Sequence, residues 1–261
     1  MQPCASGQKS LKFIRPQRPP GRPTPLPPPA AAPRAPRPVP QPGWPWRALV
    51  GALLLILVWD ASGLDLWLAQ LAGGPQGFPW RDHPLTAVWL HDRARQLGWV
   101  LLVAVTALCA WPMGTLRRLT AAERAGLAAS LWLSLLLVVA IKRFSATSCP
   151  WDLAAFGGTA AHVSHWLWGV ADGGTGRCFP AGHASTALAF WALPVWLATA
   201  HPQRARQWLL AVAVVGAVLG GVQQLRGAHF MSHTLWTAWL CAAVPLALRQ
   251  WALNRGWVPL R

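Results

Sequence analysis

The chain has 261 residues, 54% of them hydrophobic and only 11% charged, where a soluble domain carries roughly 25% charged residues. That deficit argues against a soluble enzyme and points to the bilayer. A formal net charge of +16 does not point to nucleic acid: 8 of the 23 Lys and Arg crowd into the first 47 residues, and most of the others sit between apolar runs. No basic face on a folded unit is visible, so nucleic acid is not the expected partner.

Residues 16–45 hold 14 of the 25 prolines, interleaved with Arg, Ala and Gln. This composition has neither helical period nor apolar stripe, and predicts a disordered, extended arm over residues 1–46. It is too long and proline-rich for an ordinary cleaved signal peptide. The arm reads as a solvated, positively charged leader on the cytoplasmic side.

Six later segments are apolar and long enough for membrane helices, which need about 17–25 residues. They fall at approximately 48–71, 97–113, 125–141, 183–200, 207–225 and 233–252. The predicted fold class is therefore all-α, a polytopic bundle of six transmembrane helices over residues 47–254 with a short tail at 255–261. Pro112 ends the second span. The chain has 19 Trp and no Tyr, and Trp46, Trp99, Trp111, Trp208 and Trp251 lie near span ends, as interfacial anchors do.

With the N-terminus inside, the inner segments carry 16 Lys and Arg and the outer segments seven. Both ends are then cytoplasmic. Asp60 and Asp65 lie in the outer half of the first span. The stretch FPWRDHPLTAVWLHDRARQ (78–96) is an outer connection, with an amphipathic interfacial helix expected from about 84 to 96.

Three clusters share that outer face: KRFSATSCPWD from Lys142 to Asp152, RCFPAGH from Arg177 to His183, and QQLRGAHFMSH from Gln223 to His233. Together they hold what a phosphoryl-transfer site needs, namely cations and N–H donors around the phosphate oxygens, a nucleophile, and an acid for the leaving oxygen. Lys142, Arg143, Arg177 and Arg226 are the candidate cations. The amides of Ala181 and Gly182, opening a helix, form an anion cradle. His183 and His229 are the candidate acid and nucleophile. Lys142 and Arg143 also fit helix-end residues that snorkel to the interface.

In spacing and content these clusters resemble the type 2 phosphatidic acid phosphatase family, six-span enzymes that dephosphorylate lipid phosphates and diphosphates. The family pattern is Lys-x6-Arg-Pro, then Pro-Ser-Gly-His, then Ser-Arg-x5-His-x3-Asp, and the resemblance covers roughly residues 48–250. It implies that His229 is the nucleophile and His183 the general acid. Four positions depart: Cys149 stands where the family has Arg, Ala181 where it has Ser, Gln223 where it has Arg, and His233 where it has Asp. Nearby replacements are expected. Arg226 and Arg177 take over for the missing Arg, His233 orients His229, and Asp152 or an outer Asp of the first span restores the negative charge.

Cys149 and Cys178 share the outer compartment and adjoin two motifs that must meet, so a disulfide between them is expected. His162 and His165 read as solvated or structural. His229 and His233 also have the spacing of two metal ligands on a helix, which His162 and His165 would complete as a zinc set. Surrounding Lys and Arg would repel a cation, and neither metal nor cofactor is expected. The resulting expectation is a lipid phosphate or diphosphate phosphatase in a bacterial inner membrane, its site facing the periplasm. A phosphotransferase of the same fold and a non-catalytic lipid-phosphate binder are the alternatives.

Overall fold

The computed structural model describes residues 44–259, so the expected arm lies, up to residue 43, outside the described residues. The first expected span is divided into α1 (Trp44–Ser62) and α2 (Leu64–Ala72). Gly63 divides them by taking a left-handed φ of 72°, which costs glycine little. Local polar groups fix the break: the Ser62 hydroxyl donates to the Trp59 carbonyl (2.6 Å) and accepts from the Leu64 N–H (3.2 Å).

The connection 78–96 differs from the sequence expectation. A π-helical run, Leu85–Arg93, passes directly into α3 (Ala94–Ala110) in place of a separate interfacial helix. Between Arg93 and Gly98 there is no Pro and no turn dipeptide to stop the backbone ladder. The joined helix ends at Ala110, two residues before Pro112, as the sequence predicts. Next, α4 (Ala121–Phe144) opens on a capping box: the Thr120 hydroxyl accepts from the Glu123 N–H (3.2 Å), and the Glu123 carboxylate accepts from the Thr120 N–H (2.7 Å). Its last turn carries Lys142 and Arg143.

The fourth expected span is not one regular helix. It comprises α5 (Gly182–Leu188), a 3-10 turn at Ala189–Trp191 and α6 (Ala192–Leu197). Pro194 has no N–H to give the Phe190 carbonyl, which interrupts the α-helical ladder there. This run is deeply enclosed, with Ala184, Leu188, Ala189, Leu193, Trp196 and Leu197 all at most 3% exposed. It packs against α4, α7 (Pro202–Leu225) and α8 (Met231–Asn254). Trp196 Nε1 donates to Ser130 Oγ (2.9 Å), so this large buried ring keeps its polar atom paired.

Among the described residues, five helices are long and apolar enough to cross a membrane: α1, the joined Leu85–α3 helix, α4, α7 and α8. The α5–α6 run is the sixth helical segment, enclosed by its neighbours. Leu55, Val58, Leu136, Val139 and Leu210 each expose more than half of their surface, the outward apolar face of helices solvated by lipid. The chain is a multi-pass membrane protein. The C-terminal end of α4 and the N-terminal ends of α5, α8 and the Leu85 helix bring the three motifs together.

Candidate active site

The motif loops are tied to one another by backbone and by sulfur. The Arg177 and Cys178 N–H groups donate to the carbonyls of Ser145 (2.8 Å) and Thr147 (2.9 Å), and the Trp151 N–H donates to the Gly227 carbonyl (3.0 Å). Cys149 is disulfide-bonded to Cys178, with their Cα atoms 5.2 Å apart. Beneath this junction Asp172 is buried. It accepts from the Ser148 hydroxyl (2.7 Å) and from the N–H groups of Ser148 (2.6 Å) and Gly174 (3.0 Å). Burial would raise its carboxyl, yet the Ser148 hydroxyl and these amides hold it below the ordinary value.

Above the junction stand five histidines in a file. His183 and His229 have ring centroids 6.4 Å apart, and His233 stands edge-on to His229 at 5.8 Å. Beyond His183, the His91 ring lies against it, tilted by 43° with centroids 3.9 Å apart; beyond His233 comes His165 at 5.9 Å. Each outer histidine has a carboxylate: His91 Nδ1 is 2.9 Å from Asp92, and His165 Nε2 is 3.3 Å from Asp60. Asp60 also accepts from the indole N–H groups of Trp166 (3.0 Å) and Trp236 (2.9 Å). Asp65 serves differently, accepting from the Ser232 N–H (3.0 Å) in the first turn of α8.

His229 is 3% exposed. Burial pushes its imidazole well below the ordinary histidine value, and the neighbouring Lys142 charge pushes in the same direction. The ring is therefore neutral at ambient pH. Its Nδ1 lies 3.4 Å from Cys178 Sγ. Gln223, at the position where the family motif has Arg, is buried and holds the backbone instead. Its carbonyl accepts from the N–H groups of Ala228 (2.8 Å) and His229 (3.3 Å).

The cations divide into two groups. Lys142 lies across the opening turn of α5, where a Cβ on Gly182 would come 3.3 Å from its Cδ and 3.7 Å from its Nζ. Arg226 is buried; its Nε donates to the Arg81 carbonyl (2.9 Å) and its Nη1 to Gln223 Oε1 (3.2 Å). Arg81 and Arg226 both lie over the Trp151 ring, at 4.5 and 6.0 Å. Lys142, Arg95 and Arg226 all bring positive charge to bear on His183. By contrast, Arg143 and Arg177 are exposed.

Three expected roles are corrected by these contacts. The Ala181 N–H is not open to a phosphate, because it donates to the His233 carbonyl (3.2 Å). Asp152 turns into its own loop, accepting from the Thr175 hydroxyl (3.2 Å) and the Cys149 N–H (3.3 Å). Nor does His233 show a hydrogen bond to His229: its Nδ1 is buried without a partner among the described residues. His229 and the two cysteines have metal-ligand spacing. Their sulfurs are bonded to each other, however, and offer no thiolate for a metal.

The profile of the PAP2 superfamily matches residues 124–257, just over half of the chain. The chain belongs to the PAP2 superfamily. This PAP2 chain is also similar to a solved structure described as the first transmembrane PAP2 type phosphatidylglycerolphosphate phosphatase, from Bacillus subtilis. The two are 16% identical, the match covers 79% of this chain and 96% of that one, and the TM-score is 0.51. At that identity the likeness speaks for the fold. No curated protein sequence matches the chain. The superfamily match begins at residue 124, so His91, Asp92 and Arg95 lie outside it. Their only sequence signal is the His, Asp and Arg crowded into HDRAR, at the start of an apolar helix.

Proposed function

We propose that this PAP2 protein is an integral membrane phosphatase that removes phosphate from a lipid phosphate or diphosphate at the outer face of a bacterial inner membrane. The observation that carries the reading is two histidines from different elements, 6.4 Å apart between ring centroids, with Lys142 lying across Gly182 beside them. The neutral His229 attacks phosphorus through Nε2. As the N–P bond forms, the P–O bond to the lipid breaks, and the leaving oxygen takes a proton from His183, whose charged form the negative phosphate stabilises against the surrounding cations once it is bound. Water then attacks the phosphorus and gives its proton to His183. The N–P bond breaks, its electrons return to Nε2, and inorganic phosphate leaves.

Lys142, Arg226 and the Gly182 N–H neutralise the phosphate oxygens in both steps. The exposed Arg143 and Arg177 draw in the charged head group. A lipid substrate fits the surroundings. The helix that presents His91 continues directly into exposed Leu97, Val100 and Leu101, so the site opens where that helix enters the apolar layer. An outward site fits the excess of Lys and Arg in the inner segments and a disulfide at the site itself.

The test is release of inorganic phosphate from lipid monophosphates and diphosphates by the purified protein in vesicles. Release by the wild type and none by His229→Ala is expected. Saturable lipid-phosphate binding without release would make the protein a binder.

A further inference from the structure

Attack through Nε2 requires that its lone pair be free and that the ring proton sit on Nδ1. Which nitrogen of a histidine carries the proton is set by what the other nitrogen faces. Where the family motif has Asp, this chain has His233. That ring stands edge-on at 5.8 Å, and its Nδ1 has no partner among the described residues. The carboxylates around the file are engaged by other groups, Asp92 by His91, Asp60 by His165 and two indoles, Asp65 by Trp59 and α8.

What faces His229 Nδ1 is the disulfide. Cys178 Sγ lies 3.4 Å from it, fully buried, with the Ala228 carbonyl oxygen 3.0 Å away on the same sulfur. A sulfur bonded to carbon and to a second sulfur carries no hydrogen, so it can only accept. An unprotonated Nδ1 would set two lone pairs against each other, whereas Nδ1–H turned to the sulfur makes a weak hydrogen bond. Water does not compete at a residue this enclosed. The Cys178 carbonyl also faces the ring, and it too can only accept.

Resting on the reading of His229 as the nucleophile, we propose that the sulfur of Cys178 is a positioning group that holds His229 as the Nδ1–H tautomer and frees Nε2 for phosphorus. The disulfide stands in for the carboxylate missing at position 233. It supplies orientation without charge, so the imidazole is turned correctly while remaining neutral.

Two variants separate this role from simple cross-linking. Cys149→Ala removes the disulfide and leaves the sulfur behind His229; the hydrogen of the new thiol has the Ala228 carbonyl oxygen 3.0 Å away as its acceptor, so a sulfur lone pair still faces Nδ1. Cys149→Ala/Cys178→Val removes both and fills the volume without an acceptor. Cys149→Ala is expected to keep kcat within about threefold of wild type. The double variant is expected to lose roughly 10–100-fold in kcat with little change in KM, the usual cost of removing an orienting partner. Equal kcat in the two variants would give the role to the cross-link or to the Cys178 carbonyl, and would overturn the proposal.

The second readout is the nitrogen-15 spectrum of histidine-labelled protein, with the His229 signals assigned by their loss in His229→Asn. Wild type and Cys149→Ala should show Nδ1–H, and the double variant a shift toward Nε2–H. An Nε2–H signal in the wild type would overturn the proposal whether or not the protein releases phosphate. A wild type that releases none would instead count against the function proposed above.

Discussion

In the proposed mechanism the chemistry turns on His229, and its burial has a measurable consequence. An imidazole held well below its ordinary value stays unprotonated, and nucleophilic, as pH falls through the range where a solvent-exposed histidine takes up a proton. The loss of kcat/KM on the acid side should therefore set in well below pH ~6.5, the free-histidine value. An acid limb centred at that value in a plot of kcat/KM against pH would count against a buried neutral nucleophile. A second residue-scale prediction concerns Gly182. A methyl group there would lie 3.3 Å from Lys142 Cδ, tighter than comfortable contact, and would push the ammonium off the phosphate. Gly182→Ala should raise KM and lower kcat together by about tenfold, about 1.4 kcal/mol of transition-state binding. Activity equal to wild type would remove Lys142 from its assigned place.

At the scale of elements, the sequence carried some of the site and concealed the rest. Lys142, His183 and His229 were legible because each sits at a helix end beside a motif, and helix ends are where a membrane protein can gather charge. Arg177 was not. Its neighbour Cys178 is buried while its own side chain is exposed, and adjacency along the chain does not fix direction. The fourth span was legible as an apolar run, but its break into α5 and α6 follows from Pro194, which hydropathy does not weigh. His91 was concealed for another reason. Its place against His183 depends on the Leu85 helix running without interruption into α3, whereas an amphipathic stretch followed by an apolar one reads as two helices. Since the His91 ring packs against His183 at 3.9 Å, His91→Ala should lower kcat roughly tenfold, the low end of what an orienting partner supplies. His91→Phe, which keeps a ring there, should recover much of that loss. Equal loss in both variants, in the same phosphate-release assay, would show that ring packing is not the contribution.

Across the whole molecule, the proposed mechanism requires the motifs to share one side of the membrane, and the six-span topology puts both ends on the other. A reporter active only outside the membrane should be active when fused after residue 165 and silent when fused after residue 204 or 255. Activity at residue 255 would overturn the arrangement. The α5–α6 run counts as a crossing in this scheme although it is shorter than its neighbours, and the fusions after 165 and 204 bracket it. The most direct test of the central claim is to trap the covalent intermediate. With an aryl phosphate, whose leaving group needs no acid, His183→Ala should form phosphohistidine quickly and hydrolyse it slowly, since no base remains to activate water. Alkaline quenching and peptide mapping should then place the phosphoryl group on His229, and His229→Ala should carry none. A phosphoryl group on His183 or His233 in the wild type, or continued phosphate release by His229→Ala, would contradict the mechanism.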